Sequence, residues 1–552
     1  MGGPGTDEVH IIDPGQPPKR RDLPQVIWAA PGSLFVQEVA RAWSRRGLPV
    51  DLGAVSGPWG VVLWEPRSET YLVACDPLGV QPLFWARTEG GGIGVASWLA
   101  RLVDRPDVDD SLDLEGILFD EGFETRVESV LDRTRFAGVS QVPWGRMLRV
   151  AARGATSLER YWQPEFLPEP DESLTLSECA ELLRSRIDAA VRRLTPTDRP
   201  VGAHVSGGVD CTAVACRANQ VLTAAGKSLV AGYSWAPDER RTPPFEGDER
   251  HLLADVTAQE GFRIRTVYPD ESGDWFRTRD PNRYGQSTHA WERYTLPQAH
   301  TDGVRVMLSG WGGDEFASFP GRGVVRDLVR RRRFLQVWRH TAGPAGIELS
   351  ERKDVRRRMR AFAASLVGAL PPRLANLRDR AGAAEWRQQD AELDALLRGV
   401  YPRVADARLE RARAVASLPD HRATQLFFLS DGHLQHRTSW WYQTGRLFNI
   451  EYRYPLLDLG VVSAALRLPA HAFRSGGWTR LAYRMAVAPW VPPAVAWNAR
   501  KAEPSMFSPP VVHPVPRSTP LPPLATVEDS RYPGVIELVD ATYRRLNSQV
   551  AP

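Results

Sequence analysis

The chain has 552 residues, 43% of them hydrophobic and 25% charged, and 70 Lys plus Arg against 66 Asp plus Glu leave a formal net charge of +4. The length supports two or more domains with ample cores, and so small a charge excess excludes nucleic acid as a partner drawn in by the overall field. No apolar run approaches the roughly 18 residues of a membrane helix, the start carries Pro4, Asp7 and Glu8 in place of a secretory apolar core, and the four cysteines form no C-x-x-C pair; no membrane and a reduced, cytoplasmic setting are expected.

In chain order, Gly57-Pro58-Trp59-Gly60-Val61-Val62-Leu63-Trp64 and Tyr71-Leu72-Val73-Ala74-Cys75-Asp76-Pro77-Leu78-Gly79-Val80-Gln81-Pro82-Leu83 are short apolar runs broken by Gly and Pro. Gly138-Val139-Ser140-Gln141-Val142-Pro143-Trp144-Gly145 repeats the pattern. These predict short strands and a sheet-rich domain over residues 1–165.

Residues 170–552 read differently. Residues 201–205 form a short buried-type strand, and Val214, Ala218, Val221, Leu222 and Ala225 share one face of a helix over 212–225. Between them lies Ser206-Gly207-Gly208-Val209-Asp210-Cys211. Two glycines let the backbone take positive φ and approach an anion, and the N–H groups and dipole of the following helix favour a phosphate. This is the design of a pyrophosphate loop in enzymes that split ATP between the α- and β-phosphates; the G-x-x-x-x-G-K-[ST] loop of kinases and GTPases does not occur. The bland alternative is a plain strand–turn–helix.

A helix over 248–259 follows, with Asp248 as N-cap and Glu246 and Glu249 near its positive end. Residues 304–308 form another β-type run leading into Ser309-Gly310-Trp311-Gly312-Gly313-Asp314-Glu315. Asp210 and Asp314 are hard oxygen ligands of the kind Mg²⁺ takes one or two of while keeping waters and phosphates. Two strands of one parallel sheet, each delivering an Asp to its C-terminal edge, place a metal over the crevice there. Residues 322–360 carry twelve Arg and one Lys against four acids. They fit either a solvated helical face or an insertion, spanning about 320–415, that grips an acidic or phosphate-bearing partner through Arg forks. Helices are expected over 353–370 and 385–397, and the seven prolines of residues 509–523 predict an extended strap.

The Ser206 to Asp210 loop, the Ser309 to Glu315 loop, Glu451-Tyr452-Arg453-Tyr454-Pro455-Leu456-Leu457-Asp458 and Arg500-Lys501 together resemble the synthetase domain of class B asparagine synthetases. That superfamily also holds β-lactam synthetases and the cyclases that close lasso peptides. The first 165 residues resemble its glutaminase domain. The implied fold is α/β: an N-terminal glutaminase-like sandwich followed by an ATP-pyrophosphatase domain with a doubly wound parallel sheet. The implied cofactors are ATP and Mg²⁺, with Asp210 and Asp314 as metal ligands. Val205, Ser206, Gly207, Gly208, Asp210, Cys211, Ser234 and Gly310 would contact the nucleotide, and Tyr233, Ser234 and Trp235 would line its adenine side. Lys501 would meet the departing pyrophosphate, and Glu451 would either handle the attacking amine or pair with Arg453.

Two departures set this chain apart. A glutaminase of this type uses an N-terminal cysteine, whereas this sequence opens Met1-Gly2-Gly3 and its first cysteine is Cys75. Trp311 stands where asparagine synthetases carry Glu and β-lactam synthetases carry Tyr, and an indole cannot act as a base. Both point to an amine supplied by the substrate itself. The expectation is a lasso peptide cyclase that adenylates an Asp or Glu side chain of a core peptide and joins it to the peptide's N-terminal amine. The resemblance implies a ribosomally made precursor peptide, a leader peptidase and a leader-binding protein as partners. The alternatives are a small-molecule amide ligase using ammonia or an internal amine, and a non-catalytic relic.

Overall fold

The computed structural model describes residues 9–46, 52–119 and 130–234 with isolated gaps, then 249–267, 295–340 and 401–498, plus short pieces near 359–366 and 397–399. Nine strands fill the N-terminal part: β1 (Val9–Ile12), β2 (Gln25–Ala29), β3 (Gly60–Glu65), β4 (Thr70–Cys75), β5 (Phe84–Arg87), β6 (Ile93–Ala96), β7 (Val139–Gln141), β8 (Arg146–Val150) and β9 (Thr156–Arg160). They form two antiparallel sheets, ordered β2-β3-β4-β8-β9 and β1-β6-β5-β7. One face of β3 and β4 (Val62, Trp64, Val73, Cys75) packs with Ile93 and Val95 between the sheets. The opposite face (Val61, Leu63, Leu72, Ala74) joins the larger core that runs on into the C-terminal part. Both faces are covered, so these strands read as continuous apolar runs and not as alternation.

A helix of the C-terminal part, His433–Leu447, seals the junction. Gln435 donates to the Val142 carbonyl at 2.8 Å and accepts from the Trp144 N–H at 2.9 Å. Tyr442 donates to the Pro31 carbonyl at 2.7 Å, and Gln443 accepts from the Leu99 N–H at 2.8 Å. Gly79, with φ +66°, leaves room for Gln435, because a methyl there would lie 2.8 Å from its amide.

The C-terminal sheet is parallel throughout: β10 (Val201–His204), β11 (Gly232–Ser234), β12 (Ile264–Thr266), β13 (Val306–Leu308) and β14 (Glu451–Arg453) stand in the order β12-β11-β10-β13-β14. The chain builds outward from β10 to one side, then returns to its other side with β13. The order therefore reverses between β10 and β13, where an open α/β sheet leaves its ligand crevice. The flanking helix Leu176–Leu194 starts on a full capping box between Thr175 and Glu178.

The Arg-rich stretch begins with two short helices, Val324–Arg330 and Phe334–His340. Arg330, Arg332 and Arg333 are exposed, and Arg331 pairs with Asp327 at 2.9 Å. Most of residues 353–370 and 385–397, and the whole proline-rich stretch 509–523, lie outside the described residues. Among the described residues no helix is long and apolar enough to cross a membrane.

Candidate active site

The two acidic loops meet. After β10 the chain turns through Ser206, whose hydroxyl accepts from the Gly208 N–H at 3.3 Å, and enters the helix Val209–Ala224 with Gly208 as N-cap. After β13 the same device recurs: the Ser309 hydroxyl accepts from the Trp311 N–H at 3.2 Å. Gly207 has φ +81°, and a methyl there would sit 2.6 Å from the Glu249 carbonyl. Gly310 lies so close to the first turn of the helix that its methyl would be 2.6 Å from the Asp210 carbonyl. Glycine is required at both positions, at the first for conformation and at the second for the contact of two backbones.

The carboxylates of Asp210 and Asp314 converge on one nitrogen. Arg480 Nη1 lies 3.2 Å from Asp210 Oδ2, contacts Asp314 Oδ1, and reaches the Ser318 hydroxyl at 3.1 Å. Burial works against the Arg480 charge, but the two carboxylates outweigh it and hold the guanidinium protonated. One turn later, burial and the Arg480 charge pull Arg484 down to about 10. Two anionic oxygens aimed at one cationic position at the switch point form a donor set suited to Mg²⁺. Close by is a buried donor with no hydrogen-bond partner among the described residues, the Tyr483 hydroxyl, near enough to Asp210 and Cys211 to feel both electrostatically. Among the described residues no group of three or more His, Cys, Asp or Glu would hold a metal unaided; two carboxylates completed by phosphate oxygens would suffice.

The remaining candidates divide. Val205, Ser206, Gly207, Gly208, Asp210, Cys211, Gly310 and Asp314 come together at the C-terminal edge of β10 and β13. Ser234 ends β11 beside them, since the Val205 N–H bonds the Tyr233 carbonyl. Tyr233 does not reach the crevice: its ring is wholly buried and its hydroxyl donates to Asp302 at 2.9 Å. Glu451 is not brought to this centre. It pairs with Val306 at the start of β13, the far end of the sheet, and its oxygens meet Arg199 and Arg453 at 2.6 Å each. Of the two roles expected for Glu451, the structure shows the ion pair with Arg453 and sets the residue away from a place to handle the amine. Lys501, Arg500, Trp235, Glu246 and Asp248 lie outside the described residues. The helix expected from Asp248 is Arg250–Glu260.

Residues that sequence reasoning passed over complete the site. Arg480 and Tyr483 come from a short helical piece with no local mark of function, and only the fold carries them to Asp210. Glu249, read as part of a helix start, packs against the glycine loop and accepts from Asn498 at 3.2 Å. Trp311 stands edge-on to Trp441, with ring centres 5.3 Å apart, inside a stack that includes Tyr452 and Tyr454.

His433 closes the far side of the second loop, 2.5 Å from Asp431 and 3.3 Å from Glu315. Burial opposes its charge, but Asp431 and Glu315 overcome that and push the imidazole up from 6.5 to about 9. A raised folded value means stabilisation that is complete below about pH 6.5 and lost as pH climbs through about 9. The wild-type melting temperature is therefore expected to fall across that window, by an amount equivalent to on the order of 3 kcal/mol. His433→Gln should flatten that limb; a flat wild-type profile in thermal melts would contradict the ion cluster.

Comparison with known proteins places these features in a family. A family model described as asparagine synthase matches residues 182–521, and one described as a glutamine amidotransferase domain matches residues 38–162. The chain is similar to asparagine synthetase [glutamine-hydrolyzing] 3 of Bacillus subtilis, 25% identical over 221 residues, covering 40% of this chain and 32% of that protein. It is similar to the asparagine synthetase of Cricetulus griseus, 25% identical over 289 residues, covering 50% and 48%. Amidase chry2 of Gibberella zeae is 26% identical over 271 residues, covering 47% and 39%. The chain thus spans less than half the length of each of these relatives.

Proposed function

The chain belongs to the asparagine synthase family, and from that membership we propose that it is an ATP-dependent, AMP-forming ligase that closes a macrolactam ring on a peptide. The observation that carries the ligase reading is the convergence of Asp210 and Asp314 on one cationic position at the reversal of the parallel sheet. A Mg²⁺ ion would take those two carboxylates in place of Arg480 Nη1 and would neutralise charge on the phosphates. Ser206, Gly207 and Gly208 would cradle the phosphates with backbone N–H groups, with the displaced Arg480 guanidinium adding positive charge beside them. The substrate carboxylate attacks the α-phosphorus and pyrophosphate departs; an amine then attacks the activated carbonyl, loses its proton, and AMP leaves. Positioning and charge stabilisation account for most of the protein's contribution.

The source of the amine is inferred from the N-terminal domain. Cys75 is that domain's only cysteine in this sequence. It is fully buried at the end of β4, with its thiol pushed well above the ordinary range by burial and by Asp76. A protonated, water-excluded thiol is no nucleophile. The helix His433–Leu447 of the C-terminal part fills the junction and bonds the N-terminal domain through Gln435, Tyr442 and Gln443. Trp311, locked in its aromatic stack, offers no base for an ammonia-using or β-lactam-forming reaction. These features favour an amine belonging to the peptide itself, captured by an adenylated Asp or Glu side chain. The partners that fit are a ribosomally made precursor peptide, a leader peptidase and a leader-binding protein.

With ATP, Mg²⁺ and the linear peptide, the enzyme is expected to yield a product lighter by one water in the absence of glutamine and ammonia. Added glutamine should stay intact. Glutamate released in step with product, followed by chromatography, would overturn the substrate-amine reading.

A further inference from the structure

A second cavity, of about 400 Å³, lies between the helices Val324–Arg330, Pro402–Ser417 and His421–Ser430 and the short strand at Arg474–Ser475. Three arginines, Arg322, Arg326 and Arg474, share its wall with Leu418, Phe427 and Phe428. The Arg322 guanidinium stands 5.3 Å from the centre of the Phe428 ring. Arg326 spends one N–H on the Leu418 carbonyl. Arg474 has its Nε buried with no hydrogen-bond partner among the described residues, and burial lowers its affinity for its own proton.

None of the three pairs with a carboxylate among the described residues, in contrast to several arginines elsewhere in the fold. Arg480 pairs with Asp210 and Asp314, Arg411 with Asp431, and Arg453 with Glu451. The acids nearest the cavity are already engaged: Asp420 caps the helix His421–Ser430 through the Ala423 N–H at 2.8 Å, and Asp327 holds Arg331. Three uncompensated cations beside apolar rings leave a partly buried guanidinium whose desolvation nothing in the described chain offsets. An incoming anion with an apolar group attached would offset it, through Arg forks for the charge and the rings for the rest.

We propose that this cavity is an anchoring subsite for the C-terminal residue of a peptide, taking its α-carboxylate on Arg322, Arg326 and Arg474 and its aromatic or aliphatic side chain on Phe427, Phe428 and Leu418. The α-carboxylate and the side chain of a terminal residue leave the same Cα, so one residue can present both to neighbouring groups such as Arg322 and Phe428, 5.3 Å apart. The wall is continuous with the catalytic centre. Arg322 follows the loop that carries Asp314 and Ser318, and Arg474 lies shortly before Arg480 in the chain. The two segments touch through Phe319 and Phe473, with ring centres 5.4 Å apart. This subsite deepens the reading of the substrate as a peptide and rests on it, but its binding chemistry is measurable without ATP or turnover.

The probe is N-acetylphenylalanine, which has one carboxylate and one ring, titrated into the full chain by calorimetry and by saturation-transfer NMR. Its amide and acetate serve as controls. The acid is expected to bind at least about tenfold more tightly than either control, a difference of ~1.4 kcal/mol. Arg474→Gln and Arg322→Gln should each weaken it by a similar factor. Arg322 is exposed, so its variant reads the site and not the fold. With a peptide that the enzyme cyclises, Arg322→Gln should raise KM while kcat stays within about twofold, the mark of uniform binding. Equal binding of acid and amide, undiminished binding in both variants, or no binding of the acid at millimolar concentration would each overturn the subsite. If the acid binds as expected but no peptide is cyclised, the subsite stands and the cyclase reading falls.

Discussion

Asp210→Asn and Asp314→Asn are each expected to stop pyrophosphate release while the protein stays folded. Asn keeps the shape of Asp and removes one of the two negative charges that converge on the cation position. For a step whose barrier is lowered by fixed charge, loss of a single contributor costs ~10²–10³ in rate, and loss of a metal-holding carboxylate should cost at least that. The fold should survive because neither carboxylate carries the core. Asp210 lies in the first turn of the helix Val209–Ala224, where a neutral residue forfeits only about 0.3–1 kcal/mol of dipole interaction. Release near the wild-type rate in either variant, with unchanged melting, would remove these residues from the centre.

Gly310→Ala is expected to be nearly as damaging by a different route. The added methyl points at backbone, 2.6 Å from the Asp210 carbonyl oxygen, and backbone cannot rotate aside as a flexible side chain can. The loop after β13 must retreat from the helix that begins at Val209, and it takes Asp314 away from Asp210. Overpacking of this kind costs roughly 1–3 kcal/mol of stability, and a misplacement of about an ångström at a reacting centre costs about 10²-fold in rate. Gly90→Ala, where nothing lies within 4 Å of the new methyl, is the matched control and should behave as wild type. If Gly310→Ala retains full exchange of pyrophosphate into ATP, the two loops do not need their close approach.

Much of this was legible in the chain because the glycines are dictated by local physics. A Ser-Gly-Gly loop between a strand and a helix admits few readings, and the second strand–loop narrowed them further. The sequence reading put strands over 201–205 and 304–308; the structure has Val201–His204 and Val306–Leu308. Of the two roles left open for Glu451, the ion pair with Arg453 is the one the structure shows, and a motif does not say at which end of a sheet its first residue falls. Its register opposite Val306 puts it at the edge away from the loops. Arg480 and Tyr483 were missed for the opposite reason. Nothing adjacent in sequence marks them, and only the packing of the helix Leu481–Val487 against the helix Leu176–Leu194 gives them their place. His433 is similar in part: Asp431 is its neighbour in sequence, but only the fold brings Glu315 to the other side of the imidazole.

The most direct measurement separates the two half-reactions with one modified substrate. A linear peptide that the enzyme cyclises is acetylated at its N-terminus, and both AMP formation and peptide mass are followed. If the attacking amine belongs to the same peptide, activation survives acetylation: ATP is still converted to AMP and pyrophosphate, the activated carboxylate is lost slowly to water, and no ring forms. An acetylated peptide that still loses water to give a cyclic product, or an enzyme that prefers free aspartate with ammonia, would contradict the account.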